Sequence, residues 1–266
     1  MTSVRELTFG YSPCPNDTFA FHALTHGLVD APFRVTPVLL DIEELNRRAH
    51  TGEFDLTKLS VGAFSTVGNR YHLLRSGAAL GEGVGPLVVT RTPMSLDEAV
   101  RGRVAIPGRE TTAFHLLRLA APALGDVVEL RYDRILGAVT DGDVDAGLII
   151  HESRFTYAEH GLFKAVDLGD WWTQETGLPV PLAGICARTD LDAEITAAAE
   201  RAIRASVQYA FDHPQASREY VQANAQEMSE SVQAQHIALY VNAFSLDVGD
   251  DGLRAIERLV ADPAAA

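Results

Sequence analysis

The chain has 266 residues, 47% of them hydrophobic, so it can bury a full core and is long enough for one large or two modest domains. Lysine and arginine number 22 against 36 for aspartate plus glutamate, a formal net charge of −14 with no basic run, which excludes a phosphate-backbone partner such as nucleic acid. No stretch approaches the roughly twenty apolar residues of a membrane helix, and two cysteines, Cys14 and Cys186, are too few for a disulfide framework and lack metal-type spacing with the histidines.

The start, Met1-Thr2-Ser3-Val4-Arg5-Glu6, carries no apolar region of the secretory kind, so a cytoplasmic protein with reduced thiols and no structural metal is expected. Residues 7–11 read as the first strand and 18–26 as a helix. Between them, Ser12-Pro13-Cys14-Pro15-Asn16-Asp17 holds two prolines that fix φ and delay the helix until after Pro15, with Asn16 or Asp17 as its cap. Free amides at a helix start attract a carboxylate, which makes Ser12, Asn16 and Asp17 candidate cleft residues. An ordinary strand-to-helix turn would use the same residue types. Cys14 has no basic neighbour in the sequence to lower its pKa and is not read as a nucleophile.

Residues 34–40 read as the second strand, 42–50 as a helix and 55–59 as a short third strand, with Ser60 as the N-cap of a helix over 61–67. Thr57-Lys58-Leu59-Ser60 thus brings a cation, a hydroxyl and helix-start amides to one strand end, a combination suited to an anionic or polyhydroxylated ligand. A solvated Lys58 and a merely capping Ser60 are the alternative. The glycine-rich stretch Gly81-Glu82-Gly83-Val84-Gly85 reads as hinge or turn.

Residues 85–91 and 181–188 are extended apolar strands, each opened by a proline and closed by an arginine, and they read as crossings between two lobes. Between them lies a second set: strands at 103–106, 128–132 and 146–150, and helices at 112–121 and 135–140. In Pro107-Gly108-Arg109-Glu110-Thr111-Thr112-Ala113 a strand passes through a tight turn to a helix start, so Thr111 or Thr112 can offer a hydroxyl and an amide. The segment is neither a Walker loop nor a GxGxxG loop, so no nucleotide cofactor is implied. The apolar run 144–150 is a buried strand that delivers His151 at its carboxyl end, where ligand crevices lie in open α/β sheets. A histidine that only caps a strand is the competing reading. Residues 191–211, 215–226, 229–241 and 251–260 are helical in period.

The four loops carrying Ser12, Lys58, Thr111 and His151 all fall at carboxyl ends of strands, two from each set. The expected architecture is an α/β, two-lobed fold of the type II periplasmic-binding-protein-like kind, with mixed sheets, flanking helices and an inter-lobe cleft. The larger, discontinuous lobe would comprise residues 1–88 and 185–266, and the inserted lobe 89–184. A single doubly wound domain is the alternative.

Ser12-Pro13-Cys14-Pro15-Asn16-Asp17-Thr18-Phe19, Thr57-Lys58-Leu59-Ser60, Pro107-Gly108-Arg109-Glu110-Thr111-Thr112-Ala113 and Gly147-Leu148-Ile149-Ile150-His151-Glu152-Ser153-Arg154-Phe155-Thr156-Tyr157 together give a further reading. With these motifs the chain closely resembles the 1,4-dihydroxy-6-naphthoate synthases of the futalosine route to menaquinone, almost end to end. The resemblance implies conversion of cyclic dehypoxanthinyl futalosine to 1,4-dihydroxy-6-naphthoate without a cofactor. It also implies that His151 is the proton acceptor and that Lys58, Leu59 and Ser60, with Thr112 and Ala113, contact the substrate, a small-molecule carboxylate. An imidazole near its ordinary pKa of about 6.5 would suit that role. Two non-enzymatic alternatives remain: a binder of small carboxylates, which would normally carry an export signal, and a ligand-sensing domain, which would normally be joined to a DNA-binding segment.

Overall fold

The computed structural model describes residues 4–226 and 229–261. The chain opens with β1 (Arg5–Tyr11), α1 (Pro15–Thr25), β2 (Phe33–Leu39), α2 (Ile42–Ala49) and β3 (Leu56–Ser60). A single 3₁₀ turn, Val61–Ala63, leads to α3 (Phe64–Val67), then to β4 (Tyr71–Leu73) and β5 (Ala79–Gly81). The middle of the chain holds β6 (Leu87–Thr90), α4 (Leu96–Ala99), β7 (Val104–Ile106), α5 (Thr112–Ala120), β8 (Val127–Glu129), α6 (Tyr132–Asp141), β9 (Ala146–Ile149), α7 (Ser153–Thr156), β10 (Phe163–Asp167) and α8 (Leu168–Thr176). After β11 (Val180–Arg188) the chain is helical: α9 (Ala193–Asp212), α10 (Arg218–Asn224), α11 (Glu230–Tyr240), α12 (Ala243–Leu246) and α13 (Gly249–Val260).

Two mixed sheets organise these elements. The first runs β2-β1-β3-β11-β4, with β5 also pairing to β11; the second runs β10-β6-β9-β7-β8. β1, β2 and β3 are mutually parallel and β11 lies antiparallel to β3, with Ala183 opposite Ser60. In the second sheet β7 is parallel to β8 and β9, while β6 is antiparallel to β9. Leu7, Phe9 and Tyr11 of β1 share one buried core with α1 and α9, whose Ala198, Ala199, Ala202, Ile203 and Val207 recur at helical spacing and are buried. These small side chains let α9 lie close over α1, and Ser206 fixes the approach by donating to the Ala20 carbonyl and accepting from the Leu24 N–H.

The structure revises several local expectations. Both predicted crossing strands lie wholly inside one sheet: β6 pairs only in the second, and β11 only in the first. The expected lobe limits at 88/89 and 184/185 therefore cut through paired strands, and the chain changes sheets in the connections 82–86 and 177–179. The helix expected over 61–67 is divided between the 3₁₀ turn and α3. The strand expected to reach 132 stops at Glu129, because Tyr132 opens α6. β10 and α8 were not anticipated; Asp167 caps α8 by accepting from the amides of Gly169 and Asp170. No described helix is long and apolar enough to cross a membrane.

Candidate active site

The carboxyl ends of β1, β3, β7 and β9 converge on one cavity with a water-accessible interior of about 80 Å³. Its wall includes Ser12, Asn16, Lys58, Ser60, Thr111, Thr112, Ala113 and His151. Two of the anticipated residues take other places. Leu59 is fully buried in a cluster with Ala49, Val67, Tyr71 and Cys186, because alternate strand residues face opposite sides of the sheet. Asp17 lies behind the wall, where it holds Lys58 and Ser12.

The first loop departs from the predicted capping. Cys14, not Asn16 or Asp17, is the N-cap residue, and α1 begins at Pro15, since proline at the first helical position gives up only an amide that has no helical partner. Asn16 and Asp17 are thereby released for other work. Asp17 Oδ2 accepts from the Ser12 hydroxyl at 2.7 Å and from the Ser12 amide at 3.2 Å. Asp17 Oδ1 accepts from Asn16 Nδ2 at 2.8 Å and pairs with the ammonium of Lys58. Lys58 is therefore not a solvated cation: its side chain is 6% exposed and neutralised by a carboxylate that is 3% exposed. An ammonium has three donors, and this pairing uses one of them.

Ser60 makes no side-chain cap bond. Instead its amide donates to Asn46 Oδ1 at 2.9 Å and its hydroxyl accepts from Asn46 Nδ2 at 3.0 Å, so α2 fixes its orientation. Across the cavity Thr111 does cap α5, accepting from the Phe114 amide. The Thr112 hydroxyl donates to the Leu182 carbonyl and accepts from the Gly62 amide, tying β11 and the 3₁₀ turn to the start of α5. Asn242 is the cap of α12 and donates to the Leu80 carbonyl.

His151 occupies the left-handed region with φ at +56°, alone among the described non-glycine residues. That backbone strain, of order 1–2 kcal/mol, aims the imidazole off the end of β9. Its Nδ1 lies 3.3 Å from Cys14 Sγ and the Tyr132 ring meets it edge-on at 4.7 Å. Its Nε2 is buried with no protein partner among the described residues. Burial and, secondarily, the field of Lys58 push the imidazole down to about 3, in place of the expected value near 6.5. The ring is thus neutral throughout the physiological range.

Cys14 does have a basic partner in space, although none beside it in sequence. Burial and then the charge of Glu152 nevertheless push the thiol well above its usual range, so it remains protonated and poorly nucleophilic. The sulfur, a His151 nitrogen and a Glu152 oxygen fall within 4.8 Å of one another, a donor set capable of holding a small soft cation that linear spacing could not reveal. Keeping the thiol protonated works against such a site.

Three participants were not singled out from the sequence. His236 and Tyr240 of α11 belong to the cavity wall, and Arg154 of α7 bonds to Tyr240 and to Asp167. Gln233, His236 and Tyr240 share the buried face of α11. A helix whose inward stripe is polar at three- and four-residue spacing is the signal that would have pointed to a cavity there.

These features define a two-sheet α/β protein with a cavity where strand ends from both sheets meet. The chain resembles a Candida albicans protein described as showing the generic periplasmic binding protein fold, with TM-score 0.70 and 13% identity over 98% of this chain and 93% of that one. The fold is of that kind. The family model described as menaquinone biosynthesis matches residues 7–263, and the chain belongs to that family. It is 55% identical over 262 residues to the 1,4-dihydroxy-6-naphthoate synthase of Thermus thermophilus, covering 98% of this chain and 95% of that protein. It is 46% identical over 269 residues to the enzyme of that name from Streptomyces coelicolor, covering 99% and 94%. A solved structure of a protein from Archaeoglobus fulgidus superposes with TM-score 0.91 at 37% identity, covering 97% of this chain and 96% of the other. The chain is an enzyme of menaquinone biosynthesis.

Proposed function

We propose that the protein is a 1,4-dihydroxy-6-naphthoate synthase, a carbon–carbon lyase acting on cyclic dehypoxanthinyl futalosine, with His151 as the proton acceptor. One observation carries the assignment of the base: His151 lines a cavity walled by both sheets, and its neutral imidazole has a buried Nε2 with no protein partner among the described residues. In the tautomer that leaves Nε2 bare, Nδ1–H donates to Cys14 Sγ. The lone pair is then available without prior loss of a proton. Removal of a proton from the bound substrate starts the cleavage that releases the sugar-derived fragment, and formation of an aromatic ring draws the reaction forward. Lys58 and the amides near Ser60 and Thr112 supply the donors for the substrate's carboxylate and for charge developing in the transition state.

A carboxylate bound beside Lys58 offsets the field that depresses His151, so substrate itself raises the basicity of the base. In the same reading the two sheet-centred halves are lobes joined at 82–86 and 177–179, and their closure shields the reaction from water.

Incubating the purified protein with cyclic dehypoxanthinyl futalosine and following the naphthoate chromophore tests the assignment. A binding protein would return the substrate unchanged. His151→Gln should fold and bind substrate but lose activity by about 10²-fold or more. The pH profile of kcat/KM, which reports the free enzyme, should show no acid limb near 6.5, because His151 there titrates at about 3. A limb near 6.5 that vanishes in His151→Gln would contradict the assigned environment.

A further inference from the structure

A chain of hydrogen bonds behind the cavity wall fixes the state of a second histidine. Asp17, paired with Lys58, accepts only, so Asn16 turns its Nδ2 toward Asp17 Oδ1 at 2.8 Å. Asn16 Oδ1 is consequently left for His236, whose Nε2 lies 2.9 Å away. An amide oxygen cannot donate, so Nε2 carries the hydrogen and donates it. Burial, with the cations Lys58 and Arg154 and the neighbouring His151, keeps the ring neutral. A neutral imidazole protonated at Nε2 has a bare lone pair at Nδ1, and this nitrogen is buried with no protein partner among the described residues.

Leaving such an acceptor buried and unsatisfied costs about 1–3 kcal/mol. His236 is 1% exposed, forms part of the cavity wall, and its ring centroid is 6.2 Å from that of His151. Ring contacts with Phe155, near-perpendicular at 6.4 Å, and with Tyr240, tilted at 4.9 Å, hold it in place. A bare nitrogen repels a carboxylate and bonds to a donor, so its chemistry selects the hydroxyl groups of a ligand and not its acid group.

We propose that His236 is a specificity-determining residue whose Nδ1 accepts a hydrogen bond from a hydroxyl of the substrate bound against His151. The inference rests on the function proposed above, in that cyclic dehypoxanthinyl futalosine is the hydroxylated ligand. One side of the cavity, around Lys58, thereby takes the acid group while α11 reads the hydroxyl. An enzyme site that bonds a hydroxyl discriminates strongly against analogues lacking it, because the site's own polar atom is then left unpaired.

The test combines kinetics with histidine ¹⁵N NMR of the intact protein. In the ligand-free protein the His236 resonances should report the neutral tautomer protonated at Nε2; a ring protonated at Nδ1 would overturn the proposal. His236→Phe keeps an aromatic ring without nitrogen, and its KM for cyclic dehypoxanthinyl futalosine should rise about tenfold or more while kcat falls much less. His236→Asn can place an oxygen acceptor near the site of Nδ1 and should recover part of that loss, which a purely packing role would not predict. In the inert His151→Gln background, adding His236→Phe should weaken substrate binding by the same factor. Unchanged KM in His236→Phe, with normal turnover by the wild type, sinks this proposal and leaves the lyase assignment standing. Failure of the wild type to bind or convert the substrate sinks the assignment itself, while the NMR result still decides the tautomer.

Discussion

His151 combines two costs that a structural residue would avoid. Its backbone is in the left-handed region and its Nε2 is buried with no protein partner among the described residues. Strain of this kind persists where surrounding structure imposes it, and it accumulates at functional sites. The backbone cost makes a prediction separate from catalysis. His151→Gly adopts a φ of +56° without penalty, whereas His151→Ala retains the steric conflict. Both variants should be inactive, yet the glycine variant should be more stable than the alanine variant by about 1 kcal/mol, read as a higher urea midpoint at equal slope. Equal midpoints would mean that the local backbone relaxes and that the left-handed conformation is not imposed by the rest of the site. The contrast between this residue and Leu59 also shows what a motif conveys. Four consecutive letters, Thr57 to Ser60, point to one strand end, but strand alternation sends Lys58 and Ser60 to the cavity and Leu59 to the opposite face.

At the scale of elements, α2 meets the turn that precedes α5. The amide of Glu110 donates to both carboxylate oxygens of Glu43 at 3.3 Å, and Gly108 is pressed so closely on this carboxyl that an added Cβ would lie 2.1 Å from its carbon. Burial, aided by the like charge of Glu110, pushes Glu43 up to about 7. A carboxyl whose pKa is raised on folding favours the folded state most at low pH, and this contribution is lost as pH climbs from about 4.5 through about 7. Glu43→Gln keeps an acceptor for the Glu110 amide but cannot ionise. Its melting temperature should match the wild type at pH 5 and exceed it at pH 8.5, and a difference that is the same at both pH values would refute the titration. This contact explains which parts of the site were legible in the sequence. Strand ends and helix starts follow from proline, glycine and capping residues near in sequence, and these placed the loops of Ser12, Lys58, Thr111 and His151. Glu43 and Arg154 lie on helices whose polar residues look solvated until the partner surface is known, so local pattern carries no sign of their burial, while His236 leaves only the spacing of polar residues along α11. The Cys14–His151 contact spans 137 positions and belongs to the same class.

For the whole molecule the decisive feature is how the chain passes between sheets. The connection at 82–86 runs flush against the start of α8: a Cβ on Gly169 would lie 2.2 Å from the Val84 carbonyl carbon, and one on Gly85 would lie 2.8 Å from Gly169 Cα. Asp167 accepts from the amides of Gly85 and Gly169, and Arg154 bridges Asp167, the Gly85 carbonyl and Tyr240 of the cavity wall. The crossing is thus anchored at Gly85 to Asp167 at the end of β10. Gly169→Ala forces two backbones apart with no flexible side chain to yield, and it should cost about 1–3 kcal/mol or more. Gly177, in the return connection, has φ +68° but open space around it, so Gly177→Ala should cost only the left-handed penalty of about 1 kcal/mol. Gly169→Ala should also raise KM, because displacing the crossing shifts Arg154 and with it Tyr240, whereas Gly177→Ala should leave KM near the wild-type value. Parallel melts and Michaelis–Menten curves for the two variants decide the point: indistinguishable behaviour would show that the tight crossing does not set the geometry of the cavity.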